Sequence, residues 1–498
     1  MNIRQAKDYI KDSVRLYLKK DEFGEYRIPV VRQRPIFLLG APGIGKTAIM
    51  EQIASELGIA LVSYSMTHHT RQSALGLPYI VEKSYDGEAF QVSEYTMSEI
   101  IASIYETIEG SGIKEGILFL DEINCVSETL SPSMLQFLQY KTFGRHQVPE
   151  GWVIVTAGNP PEYNKSVREF DVVTMDRLKV LEVEADYDAW KTYAREMGIH
   201  GAIVSFLEIK KEYFYHIETT VKGRLYVTAR GWEDLSQILY LYEEEKLAVA
   251  ESLIGQYIRN DKIVKEFSAY YDLYQKYKKD YHVDEILGGH VSEEIIKKAA
   301  DAPFDERLSL LGMLIDKVLT DIKENMETAT YLQEIMTPLK AVKAAEDALD
   351  MLDKQAAARE QVLENLKKGG SLSIADKKKH KRIIRFLHAV KRDALANGVT
   401  ASDAVFAMVK ERFDQEVADM KNTTTGCKSA LEALFSFADE AFAEGNEMLI
   451  LVTELTVNAD SAAFISTFGC EAYQKHNEQL LLSERTDKLM QEIRELQL

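Results

Sequence analysis

The sequence predicts an α/β fold for its first part, a parallel sheet with helices on both faces, followed by a region that is all α. Three observations carry this. Short apolar runs at 36–39, 60–64, 117–120 and 153–157 alternate with helical patterns, as buried parallel strands do when helices cover both faces. A glycine-rich turn, Gly40-Ala41-Pro42-Gly43-Ile44-Gly45-Lys46-Thr47, joins the first run to a helical pattern that begins at Ala48. Beyond Gly289 no segment reads as a strand except 448–452, which reads equally well as buried helix.

Taken in order, Ile3, Ala6, Tyr9, Ile10, Val14, Leu16 and Tyr17 fall at helical spacing, and the turn at 21–24 ends that first helix. The turn after the first strand has the form G-x-x-x-x-G-K-T, with a strand before it and a helix after it, which defines a phosphate-binding loop. Gly40, Gly43 and Gly45 carry no Cβ, so backbone N–H groups can approach and ring an anion. The helix that follows aims its positive end at the same place. Lys46 supplies a charge for β- and γ-phosphates, and the Thr47 hydroxyl suits Mg²⁺. The strand, loop and helix together point to the core of a P-loop NTPase.

The third apolar run, Ile117-Leu118-Phe119-Leu120, ends in Asp121-Glu122. The carboxyl ends of parallel strands face the ligand crevice. Asp121 there holds Mg²⁺ through water, and Glu122 polarises an attacking water as general base. An acidic pair after a strand is common on its own; the phosphate loop gives it meaning. The fourth run ends at Gly158-Asn159-Pro160, where Asn159 either orients the lytic water or contacts the γ-phosphate, against the plain alternative of a turn-forming Asn-Pro.

Two hairpins interrupt this core. The segments 77–81 and 89–93 flank Asp86-Gly87, a two-residue turn signal. A second hairpin is expected at 141–146. From Asp186 to about Gly289 the pattern is helical, with recurrent tyrosines that read as a packing face. Apolar residues stepping by three and four from Val342 to Leu366, the stop at Gly369-Gly370-Ser371 and the Ser373/Asp376 cap predict an antiparallel helical hairpin at about 335–396. The basic run 377–382 reads as a solvated helix face. The expected domains are therefore 1–184, a nucleotide-binding domain with an N-terminal helix; 185–289, a helical lid; and 290–498, a helical C-terminal domain.

Composition narrows the class. A net charge of −19 over 498 residues opposes general affinity for nucleic-acid phosphates. Cys125, Cys427 and Cys470 lie far apart without metal-ligand spacing, and His68-His69 has the wrong spacing for one helix face, so neither suggests a metal centre. The charged first residues do not suit a signal peptide, and no apolar run approaches the ~20 residues of a membrane span. The expectation is a cytoplasmic protein.

The order of Gly40–Thr47, Asp121-Glu122, Gly158-Asn159-Pro160, Met175-Asp176-Arg177-Leu178 and Thr228-Ala229-Arg230 resembles that of AAA+ ATPases, over about residues 1–290. It looks closest to the MoxR-like group, with Asp121-Glu122-Ile123-Asn124 after the strand and Gly-Asn-Pro at the next. The resemblance implies that Gly40, Pro42, Gly43, Ile44, Gly45, Lys46, Thr47 and Ala48 bind ATP, and that Thr47 and Asp121 hold Mg²⁺. It implies that Lys46, Glu122 and Asn159 act in hydrolysis, with Arg177 as a finger reaching a neighbour's site and Arg230 as a second sensor in cis or in trans. Arg168 is the rival finger. It further implies a homo-oligomeric ring, commonly hexameric, that remodels or matures a protein partner, such as one with a von Willebrand factor A domain. Both hairpins would face the central pore. The segment 79–95 lacks the glycines and prolines usual in that hairpin. Two other functions remain open: a nucleic-acid motor or loader, and a slow nucleotide-dependent switch or scaffold.

Overall fold

The structure, a computed structural model, describes residues 1–68, 74, 76–163, 167–220, 223–442 and 445–479. His69, of the His68-His69 pair, lies outside them. The chain forms two compact units, one of residues 1–189 with 354–385, the other of 190–353 with 386–498. The sequence led us to expect three consecutive domains. The partition differs because residues 190–289 share a unit with the C-terminal helices, while residues 354–385 belong to the first.

In the first unit, α1 (Ile3–Tyr17) starts at a capping box in which Asn2 and Gln5 satisfy each other's backbone N–H groups. It buries Ala6, Ile10, Val14 and Tyr17. Along the chain follow β1 (Ile36–Gly40), α2 (Lys46–Leu57), β2 (Ala60–Ser65), the hairpin β3–β4 (Pro78–Tyr85 and Glu88–Tyr95), α3 (Glu99–Ser111), β5 (Gly116–Asp121), α4 (Ser131–Tyr140), the short pair β6–β7 (Thr142–Phe143 and His146–Gln147), β8 (Trp152–Gly158) and β9 (Lys179–Val183). Five of these strands form a parallel sheet in the order β2-β5-β8-β1-β9. Ile117, Leu118, Phe119 and Leu120 are all fully buried, because helices cover both faces of β5. Each such side chain contributes about 1.5–3 kcal/mol. Leu39 pairs with Gly158 and Leu120 with Thr156, so the ends of β1, β5 and β8 emerge side by side. That alignment positions the site.

The second unit contains α5 (Tyr187–Met197), α6 (Gly201–Ile209), the hairpin β10–β11 (His216–Thr220 and Gly223–Val227), α7 (Ala229–Glu244), α8 (Asp261–Asp280) and α9 (Phe304–Lys343), with shorter helical turns between. It is completed by α12 (Ser402–Phe442), α13 (Glu447–Val457) and α14 (Ala459–Phe468), which follow α10 (Ala348–Lys368) and α11 (Ile374–Ala396) in the chain. One core runs from Tyr281 and Leu310 through Leu431 and Phe435 to Leu451 and Phe464. The tyrosines of 186–289 do pack: Phe206, Trp232 and Phe267 meet edge to face or tilted, and Tyr271 and Tyr274 are buried beside them. Lys191 pairs with Glu208 and Glu454, and Arg195 with Asp316 and Glu454, which ties α5 and α6 to α9 and α13.

Two expectations are corrected, and one segment with two readings takes the helical one. The region 186–289 is not wholly helical, since β10–β11 intervenes; Ile217, Thr219, Thr220 and Val227 favour extended backbone. The segment 448–452 is helix, within α13. The helical hairpin starts at Ala348 rather than near 335, because α9 ends at Lys343 and a new cap intervenes. There Asp347 Oδ1 accepts from Asp350 N, and Ser402 Oγ accepts from Ala348 N while donating to Glu346 O. Within the first unit the tip of this hairpin lies on the outer edge of β2. Leu61 N donates to Gly369 O at 2.7 Å. Gly370 has φ +66°, and a Cβ there would lie 2.5 Å from Leu61 O.

Candidate nucleotide-binding site

The loop after β1 turns into α2 at Gly45, whose φ of +96° suits glycine. The helix starts at Lys46, so its first N–H groups point into the loop. The buried Lys46 Nζ donates to Gly40 O at 2.7 Å, Ala41 O at 2.8 Å and Asn159 Oδ1 at 2.9 Å. The ammonium is thus coiled back over the loop, held by neutral acceptors and by no carboxylate in these three bonds. A phosphate oxygen offers it a stronger, charge-assisted bond.

Thr47 Oγ1 donates to Asp121 Oδ2 at 3.1 Å. One hydroxyl and one carboxylate, both hard oxygen donors, face each other across the end of the sheet. This donor set fits Mg²⁺, which keeps several waters and takes one or two protein oxygens beside phosphate. The glycines of the loop and the free helix end likewise fit a polyphosphate.

Glu122 stands immediately after β5 with φ +56°, a left-handed conformation that disfavours a residue with a Cβ by ~1–2 kcal/mol. Its N–H bonds Asp121 Oδ1 at 2.9 Å. Its Oε2 accepts from Ser65 Oγ and Thr67 Oγ1, each at 3.1 Å. The strained turn aims the carboxylate back toward the end of β2 rather than along β5. Cys125, three residues on, is a poor thiolate: burial, then the charges of Glu122 and Asp121, push its thiol up.

Asn159 follows β8. Its side chain meets Lys46, and its backbone carbonyl accepts from Asn124 Nδ2 at 2.8 Å. The structure therefore brings the loop Gly40–Ala48, Asp121, Glu122 and Asn159 to one place. It also adds Ser65, Thr67 and Asn124, to which sequence reasoning gave no role. Ser65 and Thr67 carry no motif. Asn124 stood inside the quoted Asp-Glu-Ile-Asn, but only spatial proximity to Asn159 reveals its use.

The arginines stand apart. Arg177 is exposed, two residues past a helical turn (Val172–Met175) capped by Asp171; its side chain makes no salt bridge among the described residues, although, after the hydrogen bonds from Thr174, its charge helps to hold the Asp171 carboxyl down. Arg168 pairs with Glu128 at 2.5 Å. Arg230 is exposed in the first turn of α7, in the second unit, where Thr228 caps the helix. The two hairpins meet: Arg145 Nη1 lies 2.6 Å from Glu94 Oε2, and His146 Nε2 lies 3.2 Å from Tyr95 O. The Arg145 charge is thus partnered within the chain.

Fold and site together define a P-loop nucleotide-binding domain. Residues 35–178 match the family model described as AAA domain (dynein-related subfamily), so this part of the chain is similar to the nucleotide-binding domain of AAA+ ATPases. No curated protein matches the chain significantly. Among the described residues, no single helix is long and apolar enough to cross a membrane.

Proposed function

We propose that this chain is a Mg²⁺-dependent ATPase of the AAA+ class that assembles as a homo-oligomeric ring and remodels or matures a protein partner. The observation that carries the reading is the 3.1 Å approach of Thr47 Oγ1 to Asp121 Oδ2 beside the buried Lys46 ammonium.

Lys46 leaves its carbonyl partners to meet the β- and γ-phosphates, with the loop glycines and the start of α2 holding the rest of the chain of phosphates. Thr47 and Asp121 would hold Mg²⁺, which would supply neutralisation of the developing phosphate charge. Glu122 takes the proton of the attacking water once its carboxylate leaves Ser65 and Thr67. Asn159, freed from Lys46, orients that water or the γ-phosphate. Arg177, exposed and in no salt bridge among the described residues, completes a neighbouring subunit's site, and Arg230 serves as a second sensor in cis or in trans. In this reading Arg168 is occupied by Glu128 and is not the finger.

The partner side rests on likeness to the MoxR-like group, including a von Willebrand factor A domain as the object of remodelling and the cytoplasm as the setting. The exposed Ile80, Tyr85 and Phe90 on β3–β4 suit a protein partner better than a nucleic acid. The engagement of Glu122 by two hydroxyls favours a second reading, a switch with slow basal turnover that a partner accelerates.

The test is ATPase rate per subunit against protein concentration, with Lys46→Ala and Arg177→Ala beside the wild type. A rate that climbs with concentration and collapses in both variants supports shared sites in a ring. A flat profile, or a normal rate without Arg177, overturns the ring mechanism.

A further inference from the structure

Asn124 is 4% exposed and sits in the short helical turn (Ile123–Cys125) directly after Glu122. Its amide is used unequally. Nδ2 donates to Asn159 O at 2.8 Å, while Oδ1 is buried without a hydrogen-bond partner among the described residues. Its own backbone carbonyl accepts from Arg168 N at 2.9 Å. The side chain is also wedged against β8. A Cβ at Gly158 would lie 2.5 Å from Asn124 Oδ1 and 2.7 Å from its Cγ, so residue 158 has to be glycine while Asn124 is present.

A buried amide with an orphaned oxygen is unfavourable, and an apolar side chain of similar shape would remove that defect. What only a donor at this place supplies is the bond to Asn159 O. That carbonyl belongs to the residue whose side chain accepts from Lys46 Nζ. One residue thus ties the turn bearing Glu122 to the backbone of Asn159 and to the segment bearing Arg168.

We infer that Asn124 is a positioning residue for ATP hydrolysis: it fixes the backbone of Asn159 so that the Asn159 amide meets the phosphate end of the site, in register with Glu122. This rests on the proposed ATPase reading and assigns a role within it. Asn124 acts through Asn159 and touches no substrate. Its loss therefore slows turnover while leaving nucleotide capture by the loop intact. Replacing Nδ2 by oxygen, as in Asn124→Asp, sets a carboxylate against the Asn159 carbonyl and reverses the interaction at constant shape.

The experiment is a double-mutant cycle on kcat with Asn124→Ala, Asn159→Ala and the pair, alongside KM, the Kd of a fluorescent ATP analogue and thermal midpoints. Asn124→Asp serves as a second, isosteric variant should the alanine fold poorly. The expected result is a fall in kcat of about 30-fold for either Asn124 variant, with KM and Kd within about threefold. In the Asn159→Ala background, removing Asn124 should cost less than about threefold more, because the backbone acceptor remains but the side-chain amide that it positions is already gone. Independent, multiplying effects on kcat would overturn the inference, as would loss of nucleotide binding in step with lost stability. If the wild type binds ATP but never hydrolyses it, the functional reading falls and takes this inference with it. Hydrolysis by the wild type with an additive cycle sinks the inference alone.

Discussion

Lys46 Nζ donates to Asn159 Oδ1 at 2.9 Å, so the cation of the phosphate loop and the amide after β8 hold each other. In this arrangement each occupies the other's ligand-facing atoms. Nucleotide entry has to separate them. Asn159→Ala removes one of the Nζ partners and the proposed water-orienting group. It should lower kcat by about 10- to 100-fold while leaving nucleotide affinity within a few-fold. Steady-state kinetics with equilibrium binding of a fluorescent analogue decides this; equal losses in both would assign Asn159 to binding alone.

Ser65 and Thr67 both donate to Glu122 Oε2. Hydrogen bonds to a charged group are the stronger kind, so these two compete with water for the proposed base. The pair Ser65→Ala/Thr67→Val should raise the basal ATPase rate by roughly 3- to 10-fold, on the scale of weakened charge-assisted bonds. A lower rate would mean that the hydroxyls aim the carboxylate instead of withholding it.

Lys141 is 1% exposed, and burial draws its ammonium down to about 8. The unfolded chain then holds more protons than the folded one between about pH 8 and 10.5, so this group makes stability rise with pH across that window. Below pH 8 both states are charged and the full burial penalty is present. Lys141→Met removes it and should stabilise the protein by about 1–3 kcal/mol at pH 7, with a shrinking advantage as pH climbs to 10. Thermal midpoints of both proteins at several pH values provide the check; a destabilised methionine variant would show that the ammonium is needed.

Glu243 behaves in the opposite sense. Burial alone would raise it, but the hydrogen bond from His200, the charges of His200 and Lys278, and the Tyr271 hydroxyl bring it down to about 2. Its contribution is fully present above about 4.5 and is lost as pH falls toward 2. Glu243→Gln should therefore be less stable than wild type at pH 7, with the gap closing on acidification. Paired acid-unfolding curves measure this, and parallel curves would mean the carboxylate charge contributes nothing.

Legibility in the sequence followed locality. The phosphate loop, Asp121 and Glu122 were readable because strand, turn and helix are contiguous and the residue types are tied to their chemistry. The hairpin β3–β4 was readable from Asp86-Gly87. Ser65, Thr67 and Asn124 were not, since their partners lie 57, 55 and 35 residues away and only the parallel register brings the strand ends together. The break between α9 and α10 was hidden because Ala344 and Ala345 continue the helical pattern, while the cap comes from Ser402. β10–β11 was obscured by aromatic residues on both sides that belong to helices.

Residues 369–370 lie against the outer side of β2, where Leu61 would otherwise present an open N–H. A chain shortened near residue 290 would keep every residue of the phosphate loop yet leave this rim of the sheet bare, a template for pairing with another molecule. A hairpin from much later in the chain is thus a guard for the first sheet. An attempt to isolate the nucleotide-site region by cutting near residue 290 would yield a sticky, self-associating fragment, whereas a version that retains 354–385 would remain dispersed.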